Sequence, residues 1–200
     1  MDTPIQIYRL LVVDDNPAIH EDFKKILKPH DKSEKKILHD DLKNKLFGEE
    51  TKVKSQNMPL YQIDSAFDGE EGLKMIKNAV ELKKPYALVF LDVLMPPGLD
   101  GIETMKHVWD LDRNIQVVIC TAYSEYSWEQ IFTLFGYNDN FLILKKPFES
   151  IEIRQLALCL TKKWTLNQKA GHRYDQLCDE IYDETSKLDK LMKDLKKQLD

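Results

Sequence analysis

Four short apolar runs, each closing on a reactive polar residue, leave this chain few architectures. Leu10-Leu11-Val12-Val13 leads into Asp14-Asp15, and Ala87-Leu88-Val89-Phe90-Leu91 leads into Asp92. Val117-Val118-Ile119-Cys120 leads into Thr121, and Phe141-Leu142-Ile143-Leu144 into Lys145-Lys146. Runs this short, rich in β-branched side chains and without polar alternation, read as strands covered on both faces. A parallel sheet between two layers of helices provides that environment. Ligands bind to such sheets just beyond the carboxyl ends of the strands. Three carboxylates, a hydroxyl and an ammonium are therefore expected together at one edge, a set suited to a divalent cation and a phosphoryl group.

The segments between the runs fit that architecture. Asn16 reads as a helix cap with Pro17 at the first helical position. Ile19, Phe23, Ile26 and Leu27 then recur at helical spacing until Pro29 ends the pattern. Residues 30–57 are rich in Lys, Asp and Glu, and Leu38, Leu42 and Leu46 are spaced for a short amphipathic helix near 34–47. Connections in α/β units span only a few residues, so this stretch is an insertion, read as a solvated excursion or as a partner-docking surface. Leu60–Ala66 is the expected second strand, Asp68-Gly69 a turn, and Glu70–Leu82 a helix with Leu73, Ile76, Val80 and possible inward Met75. Pro85 precedes a third strand at 86–91. A helix at Gly101–Trp109, a strand at Ile115–Cys120, a helix at Ser127–Phe135 and a strand at 141–145 follow. Five strands alternating with helices predict an α/β fold: a five-stranded, parallel, doubly wound sheet with right-handed crossovers.

From about Ser150 the pattern changes to a heptad repeat. Its a positions are Ile153, Leu160, Asn167, Tyr174, Ile181, Leu188 and Leu195. Its d positions are Leu156, Lys163, Ala170, Leu177, Glu184, Leu191 and Gln198. The apolar majority predicts a long helix pairing with a second copy, although Lys163, Asn167 and Glu184 weaken the seam. At 1.5 Å per residue, a helix over 151–199 reaches ~70 Å, well beyond one domain. The competing reading folds an amphipathic helix back on its own sheet, and Gly171 marks a possible break. The expected division is thus 1–150 and 151–200.

The chemistry follows from the residue types. Asp92 is the candidate nucleophile, because a carboxylate can attack phosphorus to form an aspartyl phosphate. An anionic nucleophile is repelled by an anionic phosphoryl group, and a bound Mg²⁺ lowers that repulsion using one or two carboxylates. Asp14 and Asp15 are placed to hold such an ion, directly or through water. Lys146 offers a positive charge to one phosphoryl oxygen and Thr121 a hydroxyl donor to another.

These residues carry a resemblance. Leu11-Val12-Val13-Asp14-Asp15-Asn16, Leu91-Asp92-Val93-Leu94-Met95-Pro96, Cys120-Thr121-Ala122 and Lys146-Pro147-Phe148 resemble, in order, the motifs of receiver domains of two-component response regulators. The resemblance covers about residues 7–150. It implies a flavodoxin-like (CheY-like) fold with strand order 2-1-3-4-5. It further implies that Asp92 accepts a phosphoryl group from a histidine kinase or phosphotransfer protein. Mg²⁺ would be held by Asp15, Asp92 and the backbone carbonyl of Leu94, with Asp14 assisting. Thr121 would turn inward on phosphorylation, Lys146 would bind the phosphate, and a cis Lys146–Pro147 peptide would aim that lysine. Three departures stand out. Position 143, usually Tyr or Phe in the family, is Ile143, with Phe141 and Tyr137 as the nearest aromatics. The loop from Met95 to Gly101 is one residue longer than the common form, and the 30–57 insertion is the third.

The remaining features narrow the function. A net charge of −5 and a pI near 5.6 give no sign of a nucleic-acid-binding surface. The cysteines Cys120, Cys159 and Cys178 have neither metal-ligand spacing nor an even count, and Cys120 reads as a buried, inert thiol. No run approaches the ~20 apolar residues of a membrane span, and the first residues lack a signal-peptide pattern. A reduced, cytoplasmic, soluble protein is expected, a homodimer through its last helix, with any output domain beyond Asp200. It is expected to be a phosphoacceptor and not itself an enzyme. His20 and His107 read as exposed or ordinary helix histidines, and Trp109 and Trp128 as packing residues. A hydrolase with an aspartate nucleophile would place a second Asp, as general acid, where Leu94 stands. A flavin-binding module would need a hydroxyl- and glycine-rich loop where Asp14-Asp15 stand. A dimeric scaffold that is never phosphorylated is the third rival.

Overall fold

β-Branched and leucine-rich runs form strands because their side chains pack well on a pleated surface, and the sheet sorts them by parity. The computed structural model describes residues 6–28, 59–95, 99–122, 133–136 and 138–199, with the side chains of the last helix described through Lys193. The strands are β1 (Ile7–Val13), β2 (Leu60–Ala66), β3 (Leu88–Asp92), β4 (Gln116–Thr121) and β5 (Phe141–Lys145). All pair in parallel, in the order β2-β1-β3-β4-β5. Leu11, Val13, Val89, Leu91, Val117, Ile119 and Phe141 face one core. Leu10, Val12, Leu88, Phe90, Val118, Cys120 and Leu144 face the other. Every residue of central β3 is buried. The expected α/β architecture and strand order are therefore present, with strand ends displaced by a residue or two.

Helix α1 (Pro17–Leu27) begins as its cap residue dictates: the Asn16 side chain accepts from the Ala18 N–H, and Pro17 opens the first turn. Its Phe23 ring meets Phe90 at 4.6 Å between centroids, closing the second core. Helix α2 (Gly69–Glu81) corrects two expectations. Asp68 is a helix cap and not part of a free turn: it accepts from Glu71 N at 2.7 Å, while Glu71 accepts from Phe67 N at 2.7 Å. The cap thus satisfies one orphan donor of the first turn, and the Glu71 carboxylate ties down the residue before the cap. Val80 is exposed, and Ala79, with Gly72 and Ile76, takes the inward face. A Cβ on Gly72 would sit 3.1 Å from Val13, so the helix lies too close to β1 for a large residue there. The helix ends with Lys83 in the left-handed region at φ 54°, its N–H donating to Val80 O and that of Lys84 to Ala79 O.

Helix α3 (Gly101–Leu111) starts at Asp100, whose carboxylate accepts from Glu103 N at 2.7 Å. Helix α4 (Ser150–Leu199) runs unbroken through Gly171. Its first turns bury Ile153, Ala157, Leu160 and Thr161 against the second core. Lys163 then pairs with Asp139 at 2.8 Å, and Thr165 Oγ1 lies 2.8 Å from the Tyr8 hydroxyl. Beyond that point the helix is exposed almost throughout. The first turns of the tail thus fold back on the sheet, and the rest projects from it as the long helix expected. The predicted helix at 34–47, the residues at the tip of the 95–101 loop, Tyr137, Trp128 and most of the Ser127–Phe135 helix lie outside the described residues; 133–135 are helical.

Candidate functional site

Because the strands are parallel, their polar ends emerge at one edge. Asp14 follows β1, and its N–H extends the ladder to Ala66 O at 3.2 Å. It is 2% exposed, with each polar group engaged. Its Oδ1 accepts from Asn16 N at 2.9 Å, its Oδ2 from Lys146 Nζ at 2.7 Å, and its carbonyl faces His20 Nε2 at 2.7 Å. Asp15, next in the chain, is exposed. Asp92 ends β3, where its Oδ1 accepts from Val93 N at 2.9 Å and its Oδ2 lies 3.1 Å from Lys146 Nζ. Carboxylate oxygens of Asp14, Asp15 and Asp92 all lie within 4.8 Å of one another.

Lys146 follows β5, and its N–H donates to Thr121 O at 2.7 Å, tying the ends of β4 and β5 together. The Lys146–Pro147 peptide is cis. Thr121 closes β4, half-buried, in register with Lys145. Leu94 lies two residues past Asp92 with its side chain exposed, so no second carboxylate occupies a general-acid position there. The Asp14, Asp15, Asp92 and Lys146 side chains meet at one edge, and Thr121 ends the strand beside them.

The electrostatics are those of a crowded acidic pocket bridged by one ammonium. Burial pushes the Asp92 carboxyl above its ordinary value; Lys146 opposes that shift and Asp14 adds to it. For Lys146, burial alone would lower the pKa, but the Asp14 and Asp92 carboxylates outweigh it and hold the ammonium above its ordinary value. Cys120 is buried as predicted, and burial pushes its thiol up, which disfavours the reactive thiolate. Hard carboxylate oxygens this close together suit Mg²⁺. The set fits the ion that the sequence implied.

Two participants were missed in the sequence. His20 is 2% exposed, its ring centroid 4.6 Å from that of Phe67. A carbonyl can only accept, so Nε2 carries the proton toward Asp14, and Nδ1 has no hydrogen-bond partner among the described residues. The signal was available: His20, Phe23 and Leu27 share one helical face. Gly101 is the second. Its N–H donates to Val93 O at 2.9 Å, and a Cβ there would lie 2.2 Å from Asp92 O, so only glycine lets α3 approach the end of β3. Phe141 is buried against Trp109 and Phe135 while Ile143 is 42% exposed. The aromatic near position 143 is therefore a core residue of the opposite parity to Leu142.

Comparison with known proteins agrees with this geometry. A model of the response regulator receiver domain matches residues 45–158. That span holds Asp92, Thr121 and Lys146 but begins after Asp14-Asp15, which the sheet brings in because β1 lies between β2 and β3. The chain is 37% identical over 94 residues to sporulation initiation phosphotransferase F of Bacillus subtilis (strain 168), covering 47% of this chain and 68% of that protein. It is 27% identical over 109 residues to the uncharacterized transcriptional regulatory protein YrkP of the same organism, covering 54% of this chain but only 42% of that protein. The receiver domain of Francisella response regulator 1452 superposes with a TM-score of 0.50 at 24% identity, over 78% of this chain and 98% of that one.

Proposed function

Because this chain belongs to the response regulator receiver domain family, we propose that Asp92 is its phosphoacceptor and that the donor is a phosphohistidine on a histidine kinase or phosphotransfer protein. The observation that carries this reading is the placement of Asp92 at the end of β3, buried but open to the edge, with Lys146 at 3.1 Å and two further carboxylates beside it. An Asp92 oxygen attacks phosphorus, the phosphorus–nitrogen bond of the donor breaks, and its electron pair returns to the departing imidazole. Lys146 would supply a positive charge for one phosphoryl oxygen, and Thr121, at the end of β4, would offer its hydroxyl to another. Asp15, Asp92 and the Leu94 carbonyl would hold Mg²⁺, with Asp14 assisting; when bound, the ion supplies positive charge that offsets the repulsion between carboxylate and phosphoryl oxygens. The Val93 N–H and the His20-anchored Asp14 hold the reacting carboxylates in place before the donor arrives.

The reading extends to output. Residues 1–150 accept the signal and 151–200 carry it, since Lys146 is separated from buried Ile153 by only a few residues. A shift at the ends of β4 and β5 would change packing at Ile151–Leu160, and with it the association of the exposed helix, which we assign to a homodimer. The protein works as a phosphorylated switch in the cytoplasm, not as an enzyme with turnover; among the described residues no helix is long and apolar enough to cross a membrane.

The test is incubation of the full chain with Mg²⁺ and acetyl phosphate, followed by intact-mass spectrometry. The unmodified chain gains one phosphoryl group and Asp92→Asn gains none. If Asp92→Asn accepts the label as readily, the assignment is wrong. For output, removal of residues beyond ~165 should abolish dimerisation; a truncated chain that dimerises with unchanged affinity sinks the helix as the seam.

A further inference from the structure

The exposed part of α4 carries a charge pattern that specifies how two copies meet. Its own sheet consumes the first heptads: Ile153, Ala157 and Leu160 are core residues, and Lys163 is held by Asp139. From Tyr174 onward the stripe of Tyr174, Leu177, Ile181, Leu188 and Leu191 is exposed, with Glu184 interrupting it. One flank, the residue before each a position, reads Arg173, Glu180 and Lys187. The other flank reads Cys178, Thr185 and Met192 and is uncharged.

In a parallel, in-register pair the two flanks face each other, so the charges meet neutral residues and Glu184 meets its own copy at a buried layer. Nothing in that arrangement rewards the charges, and one layer is repulsive. In an antiparallel pair the charged flank faces itself. Setting Ile181 against the partner's Glu184 places Tyr174 on the partner's Leu191 and Leu177 on the partner's Leu188. The same register sets Glu180 beside the partner's Lys187, twice by symmetry. Sliding one heptad in one direction brings Glu180 against the partner's Glu180 and Arg173 against the partner's Lys187. Sliding in the other brings Lys187 against the partner's Lys187. Like charges thus oppose the neighbouring registers, which is how such flanks select orientation and alignment.

We infer that this face binds a second copy of the chain in antiparallel orientation, with the two-fold axis between Tyr182 and Asp183. This rests on the proposed dimer and adds its orientation and register. The two phosphoacceptor domains then lie at opposite ends of the paired helices, and neither can donate a residue to the other's site.

Disulfide trapping in the full chain tests it, in a background of Cys159→Ser and Cys178→Ser that leaves only buried Cys120. A mixture of Leu177→Cys with Leu188→Cys should give a cross-linked dimer, and neither variant alone should. In parallel, Lys187→Glu should raise the dimer dissociation constant by roughly tenfold, as two attractive surface pairs become repulsive, and the double exchange Glu180→Lys with Lys187→Glu should restore it. Efficient self-cross-linking of Leu188→Cys alone, or a dissociation constant indifferent to Lys187→Glu, overturns the orientation while leaving the dimer. A chain that sediments as a monomer at every concentration overturns the dimer reading itself.

Discussion

Asp92, the proposed acceptor, carries an electrostatic cost in the folded protein. Burial raises its pKa above the ordinary 3.8, so the folded state holds that proton more tightly than the unfolded chain does. Stability therefore falls as pH rises from about 3.8 through the folded pKa, and a constant cost remains at neutral pH. Asp92→Asn removes this cost while Lys146 keeps Asp14 as partner at 2.7 Å. Urea titrations should show the variant gaining on the unmodified chain across that window and staying ahead at pH 7; a gap that does not change with pH would contradict it. Gly101 is constrained by space: a methyl 2.2 Å from Asp92 O forces α3 off the strand. Gly101→Ala should cost about 1–3 kcal/mol, the range for overpacking, in chemical denaturation. Asp92, Asp14-Asp15, Thr121 and Lys146 were legible as candidates because each follows a contiguous apolar run. His20 was read as an ordinary helix histidine because its partner, the Asp14 carbonyl, is backbone and leaves no mark in side-chain composition.

At the level of elements, caps and buried faces decide stability. Lys83 closes α2 in a left-handed conformation that lacks penalty only for glycine, so Lys83→Gly should stabilise by about 1 kcal/mol in thermal or urea unfolding. A loss of stability there would show that the lysine side chain does more than end a helix. Helix α4 offers an internal control. Ile153 is fully buried and Ile151, two residues earlier, is 68% exposed. Ile153→Ala should cost ~2–5 kcal/mol and Ile151→Ala no more than ~0.5 kcal/mol. The sequence resolved helix faces well where apolar spacing was unambiguous, as in α1. It missed at α2, where Val80 and Ala79 compete for the inward position. Hydrophobicity favours valine, but the helix rotation that seats Gly72 on Val13 turns alanine inward.

Over the whole molecule, a closed domain and a projecting helix should unfold as different units. The domain has two cores of its own, whereas the helix from Lys169 to Lys193 is exposed throughout. If the helix pairs as proposed, far-UV circular dichroism should show a concentration-dependent loss of helix separate from a concentration-independent transition of the domain. One transition at all concentrations would rule out an independently dissociating helix. What the residues alone determined is the parallel sheet and the set of polar residues at its edge; the strand order came with the family resemblance that those residues carry. Each strand is a local run, and parallel pairing sends every carboxyl end to the same edge. What only the tertiary structure decided is which part of one continuous heptad repeat packs on the sheet and which part projects beyond it. Apolar residues at the same spacing carry the same local signal wherever they lie. Only the extent of the sheet face, ending near Trp164, determines how many of them it can cover.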